Sequence, residues 1–269
     1  MNVATDIART NPPAGSKALF QTVATGELRW TVRTASVTPE LLQILENPDA
    51  CLPQIEPDLR RRRKSTTSAQ SGNFFLKRYN HDRTRLGKLL KGIFRAAPAE
   101  RAFKMGCGLI EAGVVTPLPV AFASVRFAGV LRRAYLITEA INETRPLWDW
   151  PGDRSQAARD VAALVAKLHQ AGFLHHDLHL GNLLYDRAGR LFLVDLDSTG
   201  WARSIRAART KEELALLYRY ARGWVNPSRG TRGRFLREYC RLRKIDHWKL
   251  WWRDIERINK VKSDAEAGE

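Results

Sequence analysis

The spacing of apolar residues changes along this chain, and the changes predict the order of its strands and helices. In the first half, short apolar runs bounded by turn residues are typical of strands. Asn73–Tyr79 is such a run; it follows a Ser71–Asn73 turn and is expected to form a hairpin with Lys64–Gln70. Arg133–Ile141 is a second strand-like run, and it leads into an extended connector.

Helical spacing of apolar residues appears between these strands and again after them. Over Pro98–Ala112 the apolar residues fall on one stripe, and Gly113 is placed to stop the helix. A second helix is expected to begin with Asp153 or Ser155 as its cap and to end at Ala171–Gly172. Three further helices are predicted towards the end of the chain, at Thr210–Arg222, Thr231–Arg243 and Trp248–Lys260.

The second of these helices leads into a stretch whose polar residues follow a known spacing. His175–Asn182 has the sequence His-His-Asp-Leu-His-Leu-Gly-Asn, and Leu193–Asp197 has Leu-Val-Asp-Leu-Asp. In the protein-kinase signature, H-R-D-L-x-x-x-N supplies a catalytic Asp and a metal-binding Asn, and the Asp of D-F-G holds Mg²⁺. Asp177, Asn182 and Asp195 occupy these places in order.

The residues between the two motifs predict a hairpin that brings the polar side chains together. Leu183–Tyr185 and Leu191–Val194 are apolar runs separated by Asp186–Arg190, whose Asp and Gly suit a turn. Asn182 would start one strand and Asp195 would end its partner, so both could ligate one Mg²⁺ site. Phosphoryl transfer depends on positioning and charge neutralisation, and Mg²⁺ prefers oxygen ligands. Each residue alone is typical of a turn, but the ordered set favours a phosphoryl-transfer site.

The nucleotide-binding residues of such a site are expected upstream. Lys77, on the first predicted strand, is the candidate for the α- and β-phosphates, although a lysine on a strand is more often solvent-facing. Glu100 is the candidate for its ion-pair partner, but a Glu in the first turn of a helix is also favoured by the helix dipole. The backbone of Glu139, Ala140 and Ile141 is expected to hydrogen-bond the adenine edge.

The loop that covers the nucleotide is not evident, because the sequence has no G-x-G-x-x-G motif. Either the hydroxyl-rich Ser65–Gly72 turn or the segment before Arg60 would take its place, with backbone N–H groups facing the phosphates. The sequence does not decide between them.

These motifs together resemble the lipopolysaccharide kinase family of Gram-negative bacteria, which includes 3-deoxy-D-manno-octulosonic acid (Kdo) kinases and core heptose kinases. The similarity extends from about Arg60 to at least Thr199. It is carried by the segments Phe75–Arg78, Glu111–Pro117 and Tyr135–Glu139 and by the loop with Asp177, Asn182 and Asp195. The resemblance implies ATP with Mg²⁺ as cofactors and transfer of the γ-phosphate to a sugar hydroxyl of the lipopolysaccharide inner core. It also implies an α+β, bilobal protein-kinase-like fold, with a β-rich N-lobe carrying one main helix and a mostly helical C-lobe.

The chain departs from the protein-kinase pattern at three places. His176 replaces the Arg of H-R-D, so regulation by loop phosphorylation is not expected. Leu196 and Asp197 replace Phe-Gly, and no A-P-E signature follows, which argues against a protein substrate. The family's helix glutamate corresponds more closely to Ala102 than to Glu100, which leaves the partner of Lys77 open.

Composition and charge extend these expectations to domains and partners. The 269 residues are divided into a weakly ordered 1–25, an N-lobe 26–141, a C-lobe 142–262 and a polar tail 263–269. The net charge of +17 predicts an anionic partner: phosphorylated lipid A precursor, anionic phospholipid or nucleic acid, although no specific nucleic acid is expected.

Four tryptophans near basic residues could contact a membrane interface, but packing between helices is favoured: Trp224, Trp248, Trp251 and Trp252.

Location and cysteine chemistry follow from what the sequence lacks. No apolar run approaches a transmembrane length and no signal-peptide pattern is evident, so we expect a cytoplasmic protein, peripheral on the inner membrane. Cys51, Cys107 and Cys240 have no paired metal spacing and are expected to be reduced packing residues.

Two other classes of function stay open at this stage. A small-molecule kinase acting on a soluble sugar or antibiotic would use the same residues, but a soluble substrate gives no reason for affinity to anionic membranes. A non-catalytic or nucleic-acid-binding protein on a kinase scaffold is disfavoured because Lys77, Asp177, Asn182 and Asp195 are all present.

Overall fold

A computed structural model describes residues 19–53, 66–80, 96–127, 129–222 and 229–267. The chain divides into two compact units. The first comprises Met1–Gly108 and Pro117–Ala140, and the second comprises Leu109–Thr116 and Ile141–Glu269. Helix and sheet are mixed, as the predicted α+β class requires.

The first unit contains a six-stranded antiparallel sheet with the strand order β1-β2-β5-β6-β4-β3. Its strands are β1 (Phe20–Thr25), β2 (Leu28–Arg33), β3 (Thr66–Ser71), β4 (Phe74–Asn80), β5 (Pro119–Phe127) and β6 (Val130–Glu139). The predicted hairpin of β3 and β4 is confirmed, as is the strand that became β6. Lys77 lies on β4 between Ser68 of β3 and Leu136 of β6.

The core of the first unit lies between this sheet and the short helix α1 (Pro39–Glu46). Alternate residues of β2 are buried, as the two-residue period of a strand requires. Leu41, Ile44 and Leu45 of α1 recur at helical spacing and are buried in the same cluster as Trp30 and Val32.

Two elements at the start of the chain differ from the sequence-based expectation. Residues 1–25 were expected to be weakly ordered, but Phe20–Thr25 form β1, paired along its whole length with β2. The order comes from this pairing, since the β1 side chains are only partly buried or exposed. The N-lobe was expected to hold one main helix, and α1 is an additional one. Its signal was present in the sequence: the Thr38 side chain accepts a hydrogen bond from Leu41 N–H, and Pro39 occupies the first turn.

The second unit is mainly helical in its described residues. Its helices are α3 (Arg154–Gln170), α4 (Ala207–Arg222), α5 (Arg229–Leu242) and α6 (Trp248–Ala267). Helix α2 (Pro98–Glu111) begins in the first unit, and its last residues belong to the second. Short strands complete the unit: β7 (Arg145–Pro146), β8 (Phe173–Leu174), β9 (Leu183–Tyr185), β10 (Leu191–Leu193) and β11 (Gly200–Trp201).

The helix ends show which sequence signals decided them. Asp153 is the cap of α3, because its side chain accepts a hydrogen bond from Ser155 N–H. Gly113 and Gly172 follow α2 and α3 with φ of 71° and 86°, the left-handed backbone that ends helices. Helix α6 extends to Ala267, beyond the predicted end at Lys260, so most of the expected polar tail from residue 263 is helical; alanine and glutamate there favour a helix.

The tryptophans of α6 pack against neighbouring helices, as favoured from the sequence. Trp252 lies edge-on to Tyr218 of α4 with ring centroids 5.5 Å apart. Trp248 lies beneath the guanidinium of Arg237 of α5. Trp224 lies outside the described residues. Among the residues that the structure describes, no helix has the length and apolar character needed to cross a membrane.

The three cysteines are free thiols, in agreement with the expectation. Cys107 and Cys240 are buried, and burial raises the pKa of Cys240 to about 11. A thiol with a raised pKa is mostly protonated and unreactive at neutral pH, which suits a packing role.

Asp49 joins β4 and β6 on one side of the sheet. Its carboxylate accepts a hydrogen bond from the buried Tyr135 hydroxyl at 2.8 Å and pairs with Arg78 at 3.1 Å and Arg133 at 3.4 Å. Burial and the Asp49 carboxylate raise the pKa of Tyr135 to about 12.

We predict that Tyr135→Phe makes the free energy of unfolding less dependent on alkaline pH. The pKa of Tyr135 in the folded protein lies above its ordinary value of 10, so its contribution to stability is complete below pH 10 and is lost as pH rises towards 12. Urea unfolding at several pH values in this range measures the effect. Equal losses in the wild type and the variant would contradict it.

Candidate active site

The predicted catalytic loop follows β8 and ends in one turn of 3-10 helix at Leu180–Asn182. Asp177 lies in this loop with its side chain 52% exposed, and its Oδ2 lies 3.9 Å from Nε2 of His179. The carboxylate is therefore open to solvent and reachable by a substrate hydroxyl. The histidine ring next to it is held by Gly181, whose N–H donates to His179 Nδ1 at 3.0 Å.

Asn182 is buried, and its hydrogen bonds fix the orientation of its side chain. The amide Nδ2 donates to the backbone carbonyl of Asp177 at 2.9 Å. Because the nitrogen is used in this way, Oδ1 is the atom left to act as a ligand. The Asn182 side chain is thus in direct contact with the backbone of Asp177.

Asp195 follows β10, and the strand holds it beside Asn182. The N–H of Val194 donates to the backbone carbonyl of Asn182 at 2.9 Å, and β9 pairs with β10 as predicted. Nε2 of His175 donates to the carbonyl of Val194 at 2.9 Å. Both the N–H and the carbonyl of Val194 therefore bond to the loop that contains Asp177, and they join this loop to the strand leading to Asp195.

The backbone of Asp195 has the left-handed conformation, with φ of 60° and ψ of 64°. This conformation costs an ordinary residue about 1–2 kcal/mol, and Asp and Asn adopt it more readily than most. It turns the chain out of β10, and the carboxylate is exposed.

The donor set fits the magnesium ion that the sequence predicts. Asn182 Oδ1 and the Asp195 carboxylate offer only oxygen, which a hard cation prefers. Magnesium in nucleotide sites is held by one or two protein ligands, with phosphates and water completing the shell. Within the described ranges, no group of three or more His, Cys, Asp or Glu side chains could hold a metal ion.

A buried network that the sequence did not reveal anchors the catalytic loop. Glu213 of α4 accepts a hydrogen bond from the backbone N–H of His176 at 2.6 Å through Oε1. Its Oε2 lies 2.7 Å from Nε2 of His169, and Nδ1 of His169 lies 2.8 Å from the Tyr239 hydroxyl. Because the carboxylate can only accept, Nε2 carries the proton. The chain Tyr239–His169–Glu213 therefore links α5, α3 and α4 to the loop.

The backbone of His176 explains why this anchor is needed. His176 has φ of 62°, a left-handed conformation that a non-glycine residue adopts at a cost. The hydrogen bond from its N–H to the buried Glu213 holds it there. The His176 side chain is exposed and takes the place of the Arg of H-R-D.

The segment after α2 supports β10. Leu193 N–H donates to the carbonyl of Val115 at 2.9 Å, and the Thr116 hydroxyl donates to the carbonyl of Leu193 at 2.8 Å. Lys167 of α3 donates to the carbonyl of Gly113 at 2.9 Å. Gly113, Val115 and Thr116 belong to the Glu111–Pro117 segment that carries part of the family resemblance, so this segment holds the strand that leads to Asp195.

The predicted partner of Lys77 has a different contact. Glu100 pairs with Lys104, one helical turn along α2, at 2.8 Å. Ala102, the alternative position, is buried and has no polar side chain. Lys77 Nζ lies 5.5 Å from the centroid of the Tyr79 ring. The Lys77–Glu100 ion pair and the phosphate-binding role of Lys77 stay predictions.

The predicted adenine-binding backbone is partly used by the sheet. Glu139 N–H donates to the carbonyl of Leu118 at 2.9 Å, and Ala140 N–H donates to the carbonyl of Asn73 at 2.8 Å. Two of the three N–H groups are therefore occupied. The backbone groups that stay candidates for binding adenine are the N–H of Ile141 and the carbonyls of residues 139–141.

Two segments were candidates for covering the nucleotide. The first, Ser65–Gly72, is mostly a strand in the structure, and the turn after it is held by Glu40. Thr66–Ser71 form β3, and Glu40 of α1 accepts from both the backbone N–H and the side-chain amide of Asn73, at 3.0 and 3.1 Å. Gly72 has φ of 54°, and a Cβ there would collide with the Glu40 carboxylate. Most of the alternative, the segment before Arg60, lies outside the described residues.

Comparison with known proteins now identifies the family. A model of the lipopolysaccharide kinase (Kdo/WaaP) family matches residues 56–239, more than half of the chain. The chain belongs to the lipopolysaccharide kinase (Kdo/WaaP) family. The resemblance recognised from the sequence is confirmed.

The chain is also similar to two curated relatives and to one solved structure. A 3-deoxy-D-manno-octulosonic acid kinase of Xanthomonas campestris is 34% identical over 44% of this chain and 47% of its own length. The corresponding kinase of Vibrio parahaemolyticus is 29% identical over 41% of this chain and 50% of its own length. The chain thus spans about half the length of these relatives. A structure of WaaP in complex with acyl carrier protein shares the fold, with a TM-score of 0.57 and 21% identity over 82% of this chain and 98% of that one.

We predict that Glu213→Ala loosens the catalytic loop. The change leaves the His176 N–H and the buried His169 without an acceptor, and each loss costs about 1–3 kcal/mol. The melting temperature should fall, and hydrogen exchange of the backbone amides of residues 175–182 should speed up.

Two variants test whether this effect belongs to the hydrogen bond. Glu213→Gln keeps an oxygen for His176 N–H and should retain most of the protection. Glu212→Ala, at the more exposed neighbouring residue, should change neither measurement. Unchanged exchange of the loop amides in Glu213→Ala would show that Glu213 does not anchor the loop.

Proposed function

We propose that this protein is an ATP-dependent kinase that phosphorylates a sugar hydroxyl of the lipopolysaccharide inner core, on Kdo or heptose. Membership of the lipopolysaccharide kinase family supports the proposal, as do the names of the curated relatives. The observation that carries it is the joined set of Asp177, Asn182 and Asp195, in which Asn182 bonds directly to Asp177 and to the strand that ends at Asp195.

The residues of the second unit have distinct roles in this proposal. Asp177 orients the acceptor hydroxyl and takes its proton as the oxygen–phosphorus bond forms and the bond from the γ-phosphorus to ADP breaks. Asn182 Oδ1 and the Asp195 carboxylate would hold Mg²⁺, which neutralises the charge of the phosphates. Asp197 is a supporting residue of this loop, next to the metal ligands in sequence.

The nucleotide-binding roles are carried over from the sequence. Lys77 would contact the α- and β-phosphates, with Glu100 as the first candidate for its partner. Adenine would bind to the backbone at Glu139–Ile141, where Ile141 N–H is the donor left by the sheet. These assignments rest on the order of the motifs along the chain.

We also propose that the protein works at the cytoplasmic face of the inner membrane. Lipopolysaccharide core and lipid A precursors carry phosphate, and the net charge of +17 attracts anionic surfaces. Arg203, Arg206 and Arg209 are exposed at the start of α4 and form part of this basic surface.

The central prediction concerns Asp177. Asp177→Asn should lower transfer from [γ-³²P]ATP to a Kdo-terminated lipid A precursor by about 10²–10⁴-fold, the usual contribution of a positioned acid–base group. Binding of ATP with Mg²⁺, measured by titration calorimetry, should persist because Asp177 is not among the proposed ligands.

The matched control for this variant is Asp246→Asn. Asp246 is exposed between α5 and α6, so this variant should transfer phosphate at the wild-type rate. Transfer by Asp177→Asn at a near wild-type rate would refute the role of Asp177. Wild-type protein that phosphorylates a soluble aminosugar but no lipopolysaccharide acceptor would instead favour a small-molecule kinase.

The membrane proposal predicts salt-sensitive binding to anionic vesicles. The protein should co-sediment with vesicles that contain phosphatidylglycerol and cardiolipin but much less with phosphatidylcholine, and salt should release it. Reversing the charge of Arg203 and Arg206 to Glu should weaken the binding. Equal sedimentation with both kinds of vesicle would contradict the proposal.

A further inference from the structure

Three aromatic rings lie at the catalytic loop and have no role in the mechanism described so far: those of Trp148, His179 and Tyr220. Trp148 and Tyr220 are 47% and 52% exposed, which is unusual for such large side chains. His179, between them in space, is partly exposed. Trp148 precedes α3, and Tyr220 lies near the end of α4, so three separate parts of the second unit place aromatic surface at one loop.

The rings form a continuous band across the catalytic loop. A Cβ at Gly181 would lie 2.7 Å from the Trp148 ring and 2.9 Å from Cε1 of His179, so both rings rest on the loop backbone where Gly181 has no side chain. The centroids of the His179 and Tyr220 rings are 5.2 Å apart. Asp177 Oδ2 lies 3.9 Å from Nε2 of His179, at the edge of this band.

Polar groups of the band are already oriented. The Trp148 indole N–H donates to Asp149 Oδ2 at 3.0 Å, which fixes the plane of the ring. His179 Nδ1 accepts from Gly181 N–H, so the ring proton is on Nε2, on the side of Asp177. The distance of 3.9 Å from Nε2 to the carboxylate is too long for a hydrogen bond, but one substrate oxygen placed to the side of the line joining them could hydrogen-bond to both.

This combination suits a sugar ring. A pyranose has an apolar face of C–H groups that packs on an aromatic face, and hydroxyls at its edge that need a donor and an acceptor. The band supplies aromatic surface, the Nε2–H donor and the Asp177 carboxylate within one short loop. Exposed aromatic side chains that cluster, as these do, are typical of ligand-binding surfaces.

We propose that Trp148, His179 and Tyr220 form the acceptor-binding platform, on which the pyranose ring stacks with its hydroxyl directed to Asp177. The inference rests on the proposed kinase function and adds to it the residues that select a carbohydrate acceptor. Trp148 and Tyr220 bind the ring, and His179 Nε2–H binds a hydroxyl.

The test uses steady-state kinetics of the full-length protein with deacylated inner-core oligosaccharide and [γ-³²P]ATP. Trp148→Ala and Tyr220→Ala should each raise the KM for the oligosaccharide about tenfold, in line with the loss of one ring-stacking contact. The KM for ATP should stay within about twofold of the wild-type value, because these side chains have no place in the proposed nucleotide contacts.

Conservative and control variants separate binding from folding. Trp148→Phe and Tyr220→Phe keep an aromatic face and should recover most of the affinity for the oligosaccharide. Leu250→Ala removes an exposed apolar side chain of α6 and should change neither KM. An unchanged oligosaccharide KM in both alanine variants, or an equal rise in Leu250→Ala, would overturn the platform.

A failure of the proposed kinase function can be distinguished from a failure of the acceptor-binding platform. If wild-type protein binds ATP but phosphorylates no inner-core acceptor, the kinase assignment fails, and the platform is judged by titration calorimetry with the same oligosaccharide. Binding by the wild type that Trp148→Ala abolishes would support the platform even then. Absence of binding by the wild type would overturn it.

Discussion

The site depends on the two backbone hydrogen bonds of Val194. Its N–H donates to the carbonyl of Asn182, and its carbonyl accepts from His175. Val194 thus joins the loop that contains Asp177 to the strand that leads to Asp195. Without these two bonds the acidic residues would lie on separate segments that loop flexibility could move apart, and a phosphoryl-transfer site needs them in fixed relation.

Around this contact the helices form a second level of support. Glu213 places a buried carboxylate at the backbone N–H of His176, His169 binds Glu213, and Tyr239 in turn binds His169. A buried charge is tolerated where hydrogen bonds compensate it, and here they come from His169 of α3 and from the loop. The aromatic platform lies on the outer side of the same loop, so its rings are positioned by the same anchors.

The site was predictable from the sequence where its contacts are local. Asp177, Asn182 and the hairpin lie within about twenty residues, and turn chemistry with strand periodicity was enough to place them. Glu213 and Tyr239 could not be found in this way, because their partners are 37 and 70 residues away. A weak signal existed: Glu213 lies next to Leu214, on the stripe of α4 that also contains Thr210 and Leu217 and is buried. Strand β1 was missed because pairing, not its own composition, orders it.

The left-handed backbone of Asp195 has a practical consequence for the design of inactive forms. Alanine at this position would remove the carboxylate and also strain the turn, so a structural defect could be mistaken for a chemical one. Glycine would relieve the strain, but it would make the loop more flexible and raise the conformational entropy lost on folding. Asparagine keeps the shape and the backbone preference while removing the charge. If the proposed kinase function holds, D195N is therefore the form to use for trapping a nucleotide and acceptor together in crystals.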